Sequence, residues 1–190
     1  MTNVAIQREV LDTPGDIRPR PHANCYWLIP GQLLAGEHPS STASAASATR
    51  IDAMLDAGVR EFIDLTEEGE GPEHYAPILV ARAAARNLQV GHRRFAIPDY
   101  GVPSAPLMRT TLDAIYGAVD AREAIYLHCW GGVGRTGTVV GCLLREQGLT
   151  AAEALELLQH KWRAMEKRTR HPRSPETAGQ IAFIQQWDRA

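Results

Sequence analysis

Short apolar runs bounded by turn residues alternate along this chain with longer stretches whose apolar positions fall on one helical face. The first run, Tyr26-Trp27-Leu28-Ile29, meets Pro30-Gly31 and resumes as Gln32-Leu33-Leu34-Ala35-Gly36, which predicts a hairpin. Ser40 to Asp56 reads as a helix, with Ser41 or Thr42 as its cap, Ile51, Met54 and Leu55 as its apolar stripe and Gly58 ending it. Val59 to Leu65 predicts a strand, followed by an acidic, glycine-broken loop from Thr66 to Glu73. Tyr75 to Arg86 predicts a helix and Val90 to Ile97 a strand. Leu107 to Ala121 is an amphipathic helix carrying Leu107, Leu112, Ile115 and Val119 on one side. Ala124 to His128 reads as a short buried strand, and Thr136 to Glu146 as the helix after a glycine-rich loop. Thr150-Ala151-Ala152-Glu153 is a capping box opening a helix that runs to Lys167. Ser174-Pro175 starts a last helix, with serine as cap and proline at the first helical position. Strands alternating with helices predict an α/β fold with a mostly parallel central sheet of four to five strands flanked by helices.

Composition narrows the picture. At 190 residues, 44% of them hydrophobic, the chain can bury a sizeable core without disulfide or metal staples. A formal net charge of -2 gives no global basic field for nucleic acid, and none is expected as a partner. No stretch approaches the ~18 apolar residues of a membrane span, and the N-terminus lacks a secretory pattern. Cys25, Cys129 and Cys142 are odd in number and far apart, which fits neither a disulfide framework nor a CxxC metal site. A reducing, cytoplasmic setting, a monomer and no metal or cofactor are therefore the expectations. Residues 1–24, with Pro14, Gly15, Pro19 and Pro21, read as a poorly ordered or peripheral arm.

The chemistry concentrates in His128-Cys129-Trp130-Gly131-Gly132-Val133-Gly134-Arg135-Thr136-Gly137. A strand runs into this segment and a helix leaves it. Backbone amides of Trp130, Gly131, Gly132, Val133, Gly134 and Arg135 can turn inward as a nest, and the helix N-terminus adds partial positive charge. An anion of phosphate size is the natural occupant. Cys129 opens the cradle, where the same amides and the dipole favour its thiolate. The planar fork of Arg135 suits two phosphate oxygens at once. Thr136 can donate to the Cys129 sulfur, and His128 can orient the loop from below.

This segment resembles the H-C-x5-R-[ST] signature of the cysteine-dependent protein tyrosine and atypical dual-specificity phosphatases. The resemblance implies a phosphatase-like catalytic domain over residues 25–190 that hydrolyses phosphate monoesters through a phosphocysteine intermediate. Phosphotyrosine and/or phosphoserine/threonine in proteins is the implied substrate, with a small phosphorylated metabolite or an RNA 5′ end as the alternatives. It also implies a general acid upstream. Pro98-Asp99-Tyr100-Gly101 is similar to that family's acid loop, which assigns Asp99 to protonate the leaving oxygen. Leu34 to Pro39 looks like an early GE-x-P turn of small phosphatases, and Leu65 to Gly69 like an LTE-x-G pocket rim that holds Glu67. Arg173 to Thr177 with Gln180 resembles a last-helix start whose glutamine helps hold the hydrolytic water. The sequence departs from phosphoinositide-hydrolysing members, whose loop carries lysines, and that disfavours an inositol phospholipid.

Plainer readings compete at each position. Gly132 to Gly137 also spells G-x-G-x-x-G, but a capped helix stands where a dinucleotide fold needs its second strand and acid. The nucleotide P-loop fails because Thr138 stands where its lysine belongs. Taken alone, Cys129 could be a buried structural thiol and Asp99 a turn former. Glu67 either anchors Arg135 or belongs to a solvated acidic loop, and Gln180 could be a plain surface residue. Lys161, Arg163, Lys167, Arg168, Arg170 and Arg173 read either as a solvated helix end or as a positive rim that gathers substrate. A phosphate-reading module without turnover and a low-pKa thiol redox or sulfur-transfer protein are the rival functions.

Overall fold

Ala124–His128 forms a strand whose side chains divide between two apolar layers: Ile125 and Leu127 enter one cluster, Tyr126 the other. A strand alternates sides at every residue, so this segment must be covered on both faces. The computed structural model describes residues 18–40, 44–70 and 75–188. Within them lie strands β1 (Cys25–Ile29), β2 (Leu33–Gly36), β3 (Val59–Asp64), β4 (Gly91–Arg94) and β5 (Ala124–His128). The helices are α1 (Ser44–Asp56), α2 (Ala76–Ala84), α3 (Ala105–Asp120), α4 (Gly134–Glu146), α5 (Ala151–Trp162) and α6 (Ala178–Gln186). A 3-10 turn, Glu166–Thr169, follows α5.

The sheet order is β1-β2-β5-β3-β4. β1 and β2 are the expected antiparallel hairpin, and the β2–β5, β5–β3 and β3–β4 pairs are parallel. Gly31 turns the hairpin at a φ of 76°, a conformation that glycine enters without cost. Ile51, Met54 and Leu55 of α1 and Leu79 and Ala83 of α2 cover one face, packed on Trp27, Leu34, Phe62 and Tyr126. Helices α3 to α6 cover the other. None of the helices among the described residues is long and apolar enough to cross a membrane.

Register positions the site. Gly36 and Asp64 both pair with His128, so the carboxyl ends of β2, β5 and β3 lie side by side. In parallel sheets such ends are where ligands bind. β4 is shorter than the strand expected over Val90 to Ile97. Past Arg94 its chain still pairs with the far end of β3, through the Phe95 amide to Asp64 O (2.8 Å) and the Ile97 amide to Leu65 O (3.1 Å).

Three local expectations need correcting. The helix opened by Thr150 carries its capping box but stops at Trp162, not Lys167. The last helix is not capped by Ser174. Its cap is Thr177, in a capping box with Gln180, because the Ser174 hydroxyl is committed to Val133 O at 2.7 Å. The end of the supposed N-terminal arm is docked: Arg20 Nη1 donates to Ala23 O, Cys25 O and Ala164 O. Residues 1–17, and the caps proposed at Ser41 and Thr42, lie outside the described residues.

Candidate active site

The loop between β5 and α4 turns back on its first residue. The Gly132 amide donates to Cys129 Sγ at 3.3 Å, and the thiol is almost wholly buried. Gly132 has a φ of 74°, and a Cβ there would lie 2.5 Å from the Gly36 carbonyl carbon. Only glycine allows both the left-handed turn and this approach of two backbones. The contact is fastened by the His38 amide donating to Trp130 O at 3.0 Å. The Gly36-Glu37-His38-Pro39 turn thus forms one wall of the cradle. Val133, the N-cap of α4, gives no side-chain cap, so the first amides of that helix keep their donors for an anion.

His128 lies directly below. Its Nδ1 donates to Cys129 O at 3.2 Å, since a carbonyl can only accept, and its Nε2 accepts from Tyr75 Oη at 2.7 Å. This fixes a neutral imidazole with the proton on Nδ1. Burial pushes its pKa down to about 3, only partly opposed by Asp64 3.9 Å away. Asp64 is fully buried beside Thr66, Arg94 and His92. Burial raises its pKa, but the His92, His128 and Thr66 interactions outweigh that and hold the carboxyl well below the usual range. It is therefore a poor proton donor.

His128 and the docked His22 give a stability prediction. Burial also pushes His22 down to about 4, opposed by Glu37. Both histidines stay neutral in the fold where the unfolded chain, titrating near 6.5, takes up protons. Their contribution is therefore complete above about pH 6.5 and is lost as the pH falls toward 4 and 3. For His128 the loss reaches about 2 kcal/mol at pH 5. The unfolding temperature should fall steadily from pH 7 to pH 4, with a shallower slope in His22→Gln. A flat profile over that range would contradict the assignment.

Arg135 is 2% exposed at its side chain, yet its terminal nitrogens are filled. Nη1 donates to Glu70 Oε2 (2.6 Å) and Ile97 O (3.2 Å), and Nη2 donates to Glu70 Oε1 and pairs with Asp99 Oδ1 (3.0 Å). Nε has no partner among the described residues. Burial lowers the pKa of the guanidinium, but Glu70, Cys129 and Asp99 together raise it further, so the charge is permanent. Glu70 answers in kind: burial raises it, and the Arg135 hydrogen bonds bring it below its ordinary value.

Glu70, then, is the anchor of Arg135, and of the readings left open for Glu67 the solvated acidic loop is the one that holds. Glu67 is exposed and contributes its backbone amide to Glu70 Oε2 at 3.1 Å. Thr136 also departs from expectation: its buried Oγ1 makes no hydrogen bond, to Cys129 or to any other described residue. Gln180 is not a surface residue. It is buried, its Oε1 accepts the Thr177 amide (3.2 Å) and its Nε2 donates to Gly101 O (3.1 Å).

The loop that carries Asp99 is held at both ends, at Ile97 O by Arg135 and at Gly101 O by Gln180. Asp99 accepts the Tyr100 amide at 3.1 Å, its side chain is 51% exposed, and it points at Arg135 over the cradle. Tyr100 has a φ of 56° and is 65% exposed, and Trp130 is 41% exposed, so aromatic side chains stand on the loops that form the mouth. Glu176, part of the Arg173 to Thr177 stretch but given no role there, lies against the start of α4, where a Cβ on Gly134 would be 2.6 Å from its carboxyl. Burial pushes that carboxyl up; His171 opposes this and Asp99 reinforces it.

Residues 22–184 match the family described as PTP-SAK: Swiss Army Knife protein, DSP-PTPase phosphatase domain. The chain belongs to this family. It is similar to the inositol diphosphatase DSP3 of Arabidopsis thaliana, 35% identical over 98 residues, which cover 48% of this chain and 47% of that protein. It is also similar to the mouse dual specificity protein phosphatase CDC14B, 35% identical over 69 residues, 36% of this chain and 14% of that protein. The chain thus spans less than half the length of these curated relatives. The solved structure of Tk-PTP in its active form shares the fold, with a TM-score of 0.63 and 23% identity over 83% of this chain and 91% of that one.

Proposed function

We propose that this DSP-PTPase domain hydrolyses phosphate monoesters carried by proteins, phosphotyrosine or phosphoserine/threonine, through a phosphocysteine at Cys129. The observation that carries this is the convergence of Cys129 Sγ, the Arg135 guanidinium and the Asp99 carboxyl on one amide-lined loop. The Cys129 thiolate attacks phosphorus in line with the leaving oxygen, and Asp99 delivers a proton to that oxygen. Before that transfer Asp99 carries the proton and gives up its ion pair with Arg135, so the Nη2 N–H turns its hydrogen bond to a phosphoryl oxygen and the guanidinium keeps its charge. Water then cleaves the sulfur–phosphorus bond, with Asp99 as base and Gln180 holding the acid loop in place. The unpartnered Thr136 hydroxyl is available to the departing sulfur. Phosphoryl transfer has a loose transition state, so a prepositioned ring of donors does most of the work. The aromatic mouth supports a phosphorylated side chain as the guest. The three free, buried cysteines favour a reducing compartment.

The covalent route needs no metal. Turnover of a phosphotyrosine peptide and of an aryl phosphate should be unchanged in excess chelator and blocked by vanadate, which occupies the phosphate cradle. A strict requirement for added divalent cation, or no turnover of either ester, would refute the reading.

A further inference from the structure

A trans peptide points its carbonyl and the following N–H in opposite directions, so a donor that holds a loop carbonyl outward aims the next amide inward. Three carbonyls of the phosphate loop are held this way by groups from outside it. Trp130 O accepts the His38 amide (3.0 Å), Gly131 O accepts Lys167 Nζ (3.3 Å) and Val133 O accepts Ser174 Oγ (2.7 Å). The amides that follow these carbonyls belong to Gly131, Gly132 and Gly134. That of Gly132 is the one that donates to Cys129 Sγ.

Lys167 and Ser174 lie on one segment. α5 stops at Trp162, and residues 166–174 form a strap pinned along its length. The Lys167 amide donates to Asn24 Oδ1 (3.1 Å), Trp162 Nε1 to His171 O (2.8 Å) and Gln159 Nε2 to Pro172 O (2.9 Å). Asn24 O also accepts the Glu37 amide (3.1 Å), which sets Glu37 beside the strap. Glu37 is buried, and its carboxylate takes Lys167 Nζ on Oε2 (2.5 Å) and Arg50 Nη1 on Oε1 (2.9 Å). The Lys167 ammonium is thus held between the Glu37 carboxylate and the Gly131 carbonyl, while Arg168 and Arg170 beside it are exposed.

We propose that Lys167 is a positioning residue for the phosphate cradle: through the Gly131 carbonyl it keeps the Gly132 amide on the phosphate side, and Ser174 does the same for the Gly134 amide through Val133 O. The proposal rests on the phosphatase reading of Cys129. The peptide joining Gly131 to Gly132 has no Cβ on either side, so sterics alone do little to stop it turning over. Turned over, it would take the Gly132 N–H away from Cys129 and set a carbonyl oxygen against the anion. Lys167 opposes this with a charge-assisted hydrogen bond, and Glu37 keeps the ammonium in place. Donors fixed before the substrate arrives are the ones that stabilise charge in the transition state. Lys167 needs no contact with substrate to act in this way.

Vanadate affinity and steady-state kinetics on an aryl phosphate test this in the full chain. Lys167→Met keeps the aliphatic stem and removes the donor, and Lys167→Met/Glu37→Gln also removes the carboxylate left behind. In both, vanadate affinity and kcat/KM should fall by about tenfold, the scale of one hydrogen bond to a charged group. The Gly132 amide resonance, which should move when vanadate binds the wild type, should respond much less. These losses should persist at high salt, because they come from a misdirected peptide and not from a screened field. Ser174→Ala carries the same test through Val133 O, leaves the Lys167–Glu37 pair intact and should also weaken vanadate binding. Arg168→Gln removes a neighbouring charge whose Nη1 donates to Met165 O (3.2 Å), and it should bind vanadate like the wild type. Wild-type affinity in the lysine variants or in Ser174→Ala would overturn the proposal. So would an equal loss in Arg168→Gln that fades with salt, which would make Lys167 a rim charge only. In each of these outcomes the wild type still turns over the ester, and the phosphatase reading stands. A wild type that neither binds vanadate nor turns over any ester removes both.

Discussion

Replacing Cys129 by serine is expected to lower phosphate-ester turnover by at least about 10⁴-fold, the scale of loss when a covalent nucleophile is removed. A serine hydroxyl at this position has no base beside it: the neutral His128 turns Nδ1 to Cys129 O and Nε2 to Tyr75, so neither nitrogen is open to the Cys129 side chain. Phosphate or vanadate should still bind, because the loop amides and Arg135 remain. Rapid acid quench of the wild type should trap one phosphate per chain on Cys129 and none in the variant. Cys25→Ser and Cys142→Ser should both turn over. Both thiols are buried, and burial raises the Cys25 pKa to about 12 and the Cys142 pKa higher still, so neither supplies a ready thiolate. A phosphoenzyme on any other residue would refute the assignment.

Asp99→Asn is expected to cost about 10²–10⁴ in rate on a phosphopeptide, the usual contribution of a general acid. The loss should be much smaller on an aryl phosphate whose phenolate leaves readily without a proton. Asparagine keeps the side-chain acceptor for the Tyr100 amide and the turn closed by Gly101 N to Pro98 O (2.9 Å), so the loop geometry survives. It cannot protonate a leaving group, and it ends the ion pair with Arg135. Substrate binding should hold or tighten as that guanidinium is freed. Equal, small losses on both substrates would make Asp99 structural. Asp64 is a poor substitute because its carboxyl is buried, strongly paired and held ionised. Glu176 would then be the group to test, since burial favours its protonated form and it lies near Asp99.

The cradle was readable in the sequence because it is local. A strand that reads as buried, a glycine-rich turn and a helix start sit within ten residues, His128 to Gly137, so Cys129 and Arg135 stand at the two ends of one short loop. The hairpin, the strand order of alternation and the Thr150–Glu153 box were legible for the same reason: each is decided by side-chain period or by a cap within one turn. Asp99 stands out from its surroundings only by the family resemblance, since Pro-Asp-x-Gly is equally ordinary turn chemistry. What escaped the sequence was every choice between similar residues that depends on a distant partner. Glu67 and Glu70 stand three residues apart in one acidic loop, and only the packing of that loop over Arg135 selects Glu70. Ser174 and Thr177 are both good caps, and the selection of Thr177 follows from the Val133 carbonyl, far back along the chain, claiming the Ser174 hydroxyl. The helical periodicity after Thr150 runs past Trp162, but the pinning of the strap to Asn24, Trp162 and Gln159 ends the helix there and turns its arginines toward solvent. Local chemistry needs only neighbours in the chain, whereas anchors, caps and charged rims depend on which distant segments the folded core brings within hydrogen-bonding reach.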